Sequence, residues 1–210
     1  MDGTVSNYEA GSEWIITASG KRFYLRRPTP ADIDAGDVAH ALAHICRFNG
    51  HTREFYSVAQ HSILVSRLLP DELKLAGLLH DAHEAFMGAD MPTPHKAEIQ
   101  GWAEYEHRWQ MIVRNKWGVI GAFDANEDAI RLADRIALAT ERRDLLNLRH
   151  GASPWPVLAG VLPTSLVDLR SRARKQKSWE HWRDDWLDRF HDLQQQRSAA
   201  IGREYVPEEF

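Results

Sequence analysis

The chain has 210 residues, 43% of them hydrophobic and 27% charged, with a formal net charge of −4. That length and balance fit one soluble domain with its own hydrophobic core, and the acidic charge argues against a general nucleic-acid binder. Cys46 is the only cysteine, which rules out an intramolecular disulfide and a thiolate zinc cluster.

The opening "MDGTVSNYEAGSEW" is acidic and polar, unlike a secretory signal or transit peptide. No apolar run approaches the roughly 20 residues of a membrane helix. A cytoplasmic protein that neither spans nor sits on a membrane is therefore expected. In "WIITASGKRFYLRR", Trp14 to Arg27, β-branched and aromatic residues flank Ser19-Gly20-Lys21. This predicts a short N-terminal β-hairpin, an extension within residues 1–30. Pro28 and Pro30 end it, and Asp32 or Asp34 can cap the first helix.

The rest of the chain reads as helical. Apolar periodicity predicts helices at about Gly36–Arg47, Phe55–Leu69, Asp71–Met87, Lys96–Trp117, Asn126–Asn147 and Ser178–Arg197. Gly, Pro and Asp in "NGHT", "LLPD", "GADMPTP", "KWGVIGAFD" and "HGASPWPVLAGVLPTS" separate them. No repeat or low-complexity linker divides the chain, so residues 1–210 form a single domain with a loose tail at 198–210. Trp179, Trp182 and Trp186 make a stripe on the last helix that packs on the bundle or on a second subunit.

The eleven histidines are the first hint of metal chemistry. In "GLLHDAHEAFMGADMPTPHK", apolar Leu75, Leu78 and Leu79 run directly into His80, Asp81, His83 and Glu84. Burying charge without compensation costs several kcal/mol or more. Residues three and four apart share a helical face, so Glu84 lies one turn beyond the His80-Asp81 pair. His61 sits among Val58, Ile63, Leu64 and Val65, and Asp134 among Ile130, Ala133, Ile136 and Ala137. Taken singly, His61 reads as a satisfied core histidine and Asp134 as an ion-pair partner of Arg131 or Arg135. Together, two histidines and two aspartates make a nitrogen–oxygen site suited to Co, Mn, Zn, Fe or Ni as the divalent ion. His40 and His44 are also four apart but lack an accompanying acid at suitable spacing.

The ordered set of His61, His80-Asp81 with Glu84, and Asp134 resembles the HD-domain metal-dependent phosphohydrolases. "SVAQHS" at 57–62 and "LLHDAHEAFMGADMPTPHK" at 78–96 are similar to segments of the bacterial 5′-deoxynucleotidases and the phage dATP triphosphohydrolases. "LADRIALA" supplies the last acid, and "DVAHALAHICRFNGHT" resembles the segment preceding the site in phage members. The likeness covers roughly Gly36 to Asp144.

The resemblance implies a mainly α, HD-domain helical bundle and metal ligation by His61, His80, Asp81 and Asp134. It gives Glu84 the role of orienting or deprotonating the attacking water, and Asp90 an assisting catalytic role. Ala89 is inserted between Gly88 and Asp90 where the family has adjacent Gly-Asp. Arg47 would meet phosphate, Phe48 would crowd the sugar 2′ carbon, and Lys96 would take a second phosphate oxygen. His83 is a candidate for the pocket wall.

The implied activity is metal-dependent hydrolysis of the 5′ phosphoester of small-molecule deoxynucleotides, by a cytoplasmic homo-oligomer that acts on no nucleic-acid polymer. A dNTP triphosphohydrolase shares the same attacked phosphorus; Lys116 and Arg53 are candidates for a pocket extended toward more phosphates. A non-catalytic nucleotide-sensing module is the reading from another class.

Overall fold

Glycine in the left-handed region at Gly20 (φ +80°) lets the chain reverse between two short strands. These are β1 (Trp14–Ile16) and β2 (Arg22–Tyr24), paired antiparallel with Ile15 opposite Phe23. The computed structural model describes residues 13–150 and 152–204, with side chains to residue 200. The expected hairpin is present, and everything after it is mainly helical. Residues 1–12 of the expected extension lie outside the described residues.

Asp34 caps α1 (Ala35–His44) by accepting from the backbone N–H groups of Gly36 and Asp37. The next helix, α2 (Val58–Leu68), is buried on every face from Val58 to Ser66, as a central helix should be. It packs on α1, on α3 (Lys74–Leu79), on α7 (Ile120–Leu145) and on α9 (Trp179–Glu204). The α2–α3 approach requires a glycine: a Cβ at Gly77 would lie 2.4 Å from a Leu69 methyl and 3.2 Å from Ser66 Cα. Close contact there brings the segment following α3 against the middle of α2.

The single helix expected over Asp71–Met87 is broken. After α3 the chain turns through residues 80–83 and resumes as α4 (Glu84–Met87). Backbone bonds from Ala82 to Leu79, Glu84 to Asp81 and Phe86 to His83 tighten it to three residues per turn. His80 Nδ1 bonds Gly77 O at 2.8 Å, the carbonyl that an uninterrupted helix would give to Asp81 N–H.

The helix expected over Lys96–Trp117 is likewise two, α5 (Thr93–Glu98) and α6 (Trp102–Lys116), separated by left-handed Gly101 (φ +78°). In contrast, α7 begins at Ile120, within the expected loop, and kinks at Asn126. A short α8 (Arg172–Lys175) precedes α9, which stays helical through Glu204. The loose tail expected from 198 therefore begins no earlier than 205, outside the described residues.

The tryptophan stripe belongs to this chain's own core. Trp186 is fully buried and stacks on Phe190 with ring centroids 5.6 Å apart, and Trp182 is buried beside them. Among the described residues no helix is long and apolar enough to cross a membrane.

Candidate metal centre

Three separate elements deliver the candidate ligands: His61 from α2, His80 and Asp81 from the turn after α3, and Asp134 from α7. His61, His80 and Asp81 offer ligand atoms that all lie within 4.8 Å of one another. The His61 Nε2 to His80 Nε2 separation is 3.1 Å, and Asp81 Oδ2 lies 3.0 Å from His80 Nε2 and 3.4 Å from His61 Nε2. Asp134 Oδ1 approaches the same His61 Nε2 at 3.1 Å. Asp134 makes none of the pairings with Arg131 or Arg135 that its sequence neighbours suggest; Arg131 bonds Glu127 instead.

The outer nitrogens decide what the inner ones can do. His61 Nδ1 donates to Glu141 Oε1 at 2.6 Å, and His80 Nδ1 donates to Gly77 O at 2.8 Å. With both Nδ1 protons committed, the two Nε2 atoms face each other beside two carboxylates, an arrangement that needs a proton or a metal cation among them. Ligand atoms bound at ~2.1 Å would stand ~3.0–3.4 Å apart around an octahedral or tetrahedral ion. The observed spacings fall in that range, so the residues fit a divalent transition metal. Asp134 is the outermost of the four, its side chain 39% accessible, whereas His61 is sealed. The cluster thus opens toward solvent past Asp134.

Protonation equilibria report the same demand for positive charge. Burial and Arg47 would push His61 down, yet Glu141 and Asp134 outweigh them and raise it to about 10. Burial opposes ionisation of Asp81, but His80, His61 and Arg47 hold its carboxyl well below the usual range. Burial, reinforced by repulsion from Asp81 and Asp90, pushes Glu84 well above the usual carboxylate range. Glu84 is almost fully buried, and its Oε2 has no hydrogen-bond partner among the described residues.

Arg47 is buried at the edge of the cluster. Its Nη1 lies 3.4 Å from Asp90 Oδ1 and 3.7 Å from Asp81 Oδ2, and its Nη2 lies 3.3 Å from Glu141 Oε2. Asp90 therefore reaches the site despite the Ala89 insertion, by way of left-handed Gly88 (φ +88°). Phe48 and Asn49 both adopt left-handed backbone (φ +54° and +51°), an uncommon state for a bulky residue. Phe48's ring lies 5.5 Å from the Arg47 guanidinium and 6.3 Å from the ring of Trp155.

Lys96 is drawn aside: its Nζ bonds Glu106 Oε1 at 2.6 Å, and buried His83 Nε2 lies 3.5 Å from the same oxygen. Burial alone would raise Glu106, but His83 and Lys96 hold it at about 2. Arg53 reaches Asn147, beyond the C-terminal end of α7 and about three turns from Asp134.

No family model matches the chain. It is 38% identical over 187 residues to the uncharacterized protein YfdR of Escherichia coli (strain K12), a match covering 89% of this chain and 99% of YfdR. The chain belongs to the YfdR family. It is also 38% identical over 170 residues to the uncharacterized protein RCAP_rcc00048 of Rhodobacter capsulatus, covering 73% of this chain and 86% of that one.

In this YfdR-family chain the residue at the candidate site that sequence reasoning missed is Glu141. It is fully buried, and it bonds His61, Tyr56 and Arg47. Its neighbours "TERRD" resemble a solvated charged face, which hid it. The available signal was its spacing: it lies seven residues after Asp134, two turns along the same side of α7.

Proposed function

We propose that this chain is an HD-type, metal-dependent phosphohydrolase that cleaves the 5′ phosphoester of deoxynucleotides. The observation that carries the reading is the convergence of His61, His80 and Asp81, with Asp134 3.1 Å from His61 Nε2 and both Nδ1 positions committed elsewhere. These four would hold the ion, one of Co, Mn, Zn, Fe or Ni. A divalent ion bound there supplies a Lewis acid that neutralises a phosphoryl oxygen and lowers the pKa of water.

The chain's own groups supply the rest. Glu84 is a buried carboxyl with a raised proton affinity and a free oxygen, the properties of a group that exchanges a proton with water. Asp90 and Glu141 hold Arg47 in place, and its planar guanidinium matches phosphate oxygens. When phosphate arrives, the long Nη1 contacts to Asp90 and Asp81 are the ones it exchanges. Lys96 contributes positive charge from behind its bond to Glu106. Phe48, its ring 5.5 Å from the Arg47 guanidinium, would crowd the sugar 2′ carbon and disfavour a 2′ hydroxyl.

Carboxylates outnumber cations around this cluster, and both Arg47 and Lys96 are already paired. That balance favours a substrate with one phosphate over the larger charge of a triphosphate. The test is product analysis with Co²⁺ or Mn²⁺ across deoxynucleoside and ribonucleoside mono- and triphosphates. Orthophosphate from deoxynucleoside monophosphates is expected. Tripolyphosphate from triphosphates would replace the nucleotidase reading with the triphosphohydrolase one. No product, with no metal bound, would favour a sensing module.

A further inference from the structure

Of the buried acids on α7, Glu141 alone divides its two oxygens between the metal cluster and the phosphate-facing arginine. Oε1 accepts from His61 Nδ1 at 2.6 Å and from the Tyr56 hydroxyl at 2.9 Å, while Oε2 faces Arg47 Nη2 at 3.3 Å. The residue has no exposure to solvent, so these contacts are its only partners. An acid placed here merely for stability would need one counter-ion. This one orients a ligand and a recognition group together, and the two lie on different elements.

We propose that Glu141 is a positioning residue that couples metal ligation to phosphate recognition. It rests on the metal-centre reading above and deepens it. By accepting the His61 Nδ1 proton, Glu141 fixes the tautomer whose Nε2 lone pair faces the cluster and makes that nitrogen a better ligand. By gripping Arg47 Nη2, it leaves Nη1 as the edge presented toward Asp81 and Asp90. One carboxylate therefore sets the distance between the ion and the guanidinium that meets phosphate.

The experiment compares Glu141→Gln with Asp144→Asn. Asp144 is also buried on α7, but it bonds Arg143 and Leu169 N–H, away from the cluster. Direct titration of Co²⁺ into each protein gives metal affinity, and titration of inorganic phosphate into the Co²⁺-loaded forms gives phosphate affinity. Glu141→Gln keeps the shape but replaces one acceptor with an amide N–H₂ that cannot serve both sides. Metal affinity should fall roughly 10- to 100-fold, the scale for partners of metal-bound histidines, and phosphate affinity should fall with it. Asp144→Asn should lower the melting temperature and leave both affinities unchanged.

Equal Co²⁺ and phosphate affinities in Glu141→Gln and wild type would overturn the inference and leave the metal centre standing. A wild-type chain that binds no Co²⁺ would overturn both. If Glu141→Gln does not fold, the histidine ¹⁵N spectrum of the Zn²⁺-loaded wild type decides. A hydrogen-bonded Nδ1 proton on His61 supports the role, and ligation through Nδ1 refutes it.

Discussion

Two histidine pairs in this chain stand close together, with ring centroids 5.0 Å apart for His61 and His80 and 4.5 Å for His40 and His44, in unlike surroundings. His61 and His80 meet with Nε2 atoms 3.1 Å apart, their outer nitrogens anchored and carboxylates of Asp81 and Asp134 beside them. His40 and His44 stack on one helix with ring centroids 4.5 Å apart, and both rest against Trp179. His44 Nδ1 bonds His40 O within the helix. Proximity of imidazoles is therefore not what makes a metal site. Carboxylates converging on the same ring nitrogens are a stronger sign, and His61, with Asp81 and Asp134 within 3.4 Å of its Nε2, has them.

The largest expected effect comes from removing a member of the first pair. His80→Ala deletes one lone pair and frees Gly77 O, so metal affinity should fall by more than the roughly 100-fold that losing an outer partner costs. Elemental analysis of the purified variant, with hydrolysis measured beside it, checks this. A variant that still copurifies with a full equivalent of metal would show that the two facing nitrogens do not share an ion.

A smaller and more selective effect is expected one turn further on. Glu84 shares the buried environment of the cluster but makes none of the ligand contacts, so Glu84→Ala should retain metal while hydrolysis falls ~100-fold or more, the usual scale for general acid–base work. Retained rate with retained metal would remove Glu84 from the chemistry. Loss of metal would move it among the ligands.

The clustering of the candidate ligands was legible in the sequence because His61 and Asp134 each sit in an apolar neighbourhood that a charge enters only with compensation. His61 among Val58, Ile63 and Val65, and Asp134 among Ile130, Ala133 and Ala137, announce themselves in this way. The hairpin was legible from Gly20. The break at residues 80–83 was not, since it arises from a side chain taking a helix carbonyl, an event that periodicity does not register. Glu141 was hidden for a related reason: "ERRD" has the composition of a surface, and the packing of α7 turns its first and last residues inward while Arg143 stays exposed. The tryptophan stripe was read correctly as a packing face, but its partner was settled by tertiary contacts within the chain, which fill it with Phe190 and its neighbours.

The smallest expected effect falls on the second histidine pair, and it sharpens the contrast most cleanly. His44 lies at the α1–α9 contact with its ring centroid 4.1 Å from that of Trp179. His44→Ala removes an aromatic contact worth about 0.5–1.5 kcal/mol, so the melting temperature should fall by a few degrees, at roughly 2–4 °C per kcal/mol for a chain of this size. Metal stoichiometry and affinity should be identical to wild type, because the cluster of metal-capable side chains among the described residues, His61, His80 and Asp81, does not include that imidazole. Calorimetry and metal titration on the same preparation separate the two outcomes. A fall in metal content without a fall in melting temperature would reverse the assignment and make the stacked pair a second cation site.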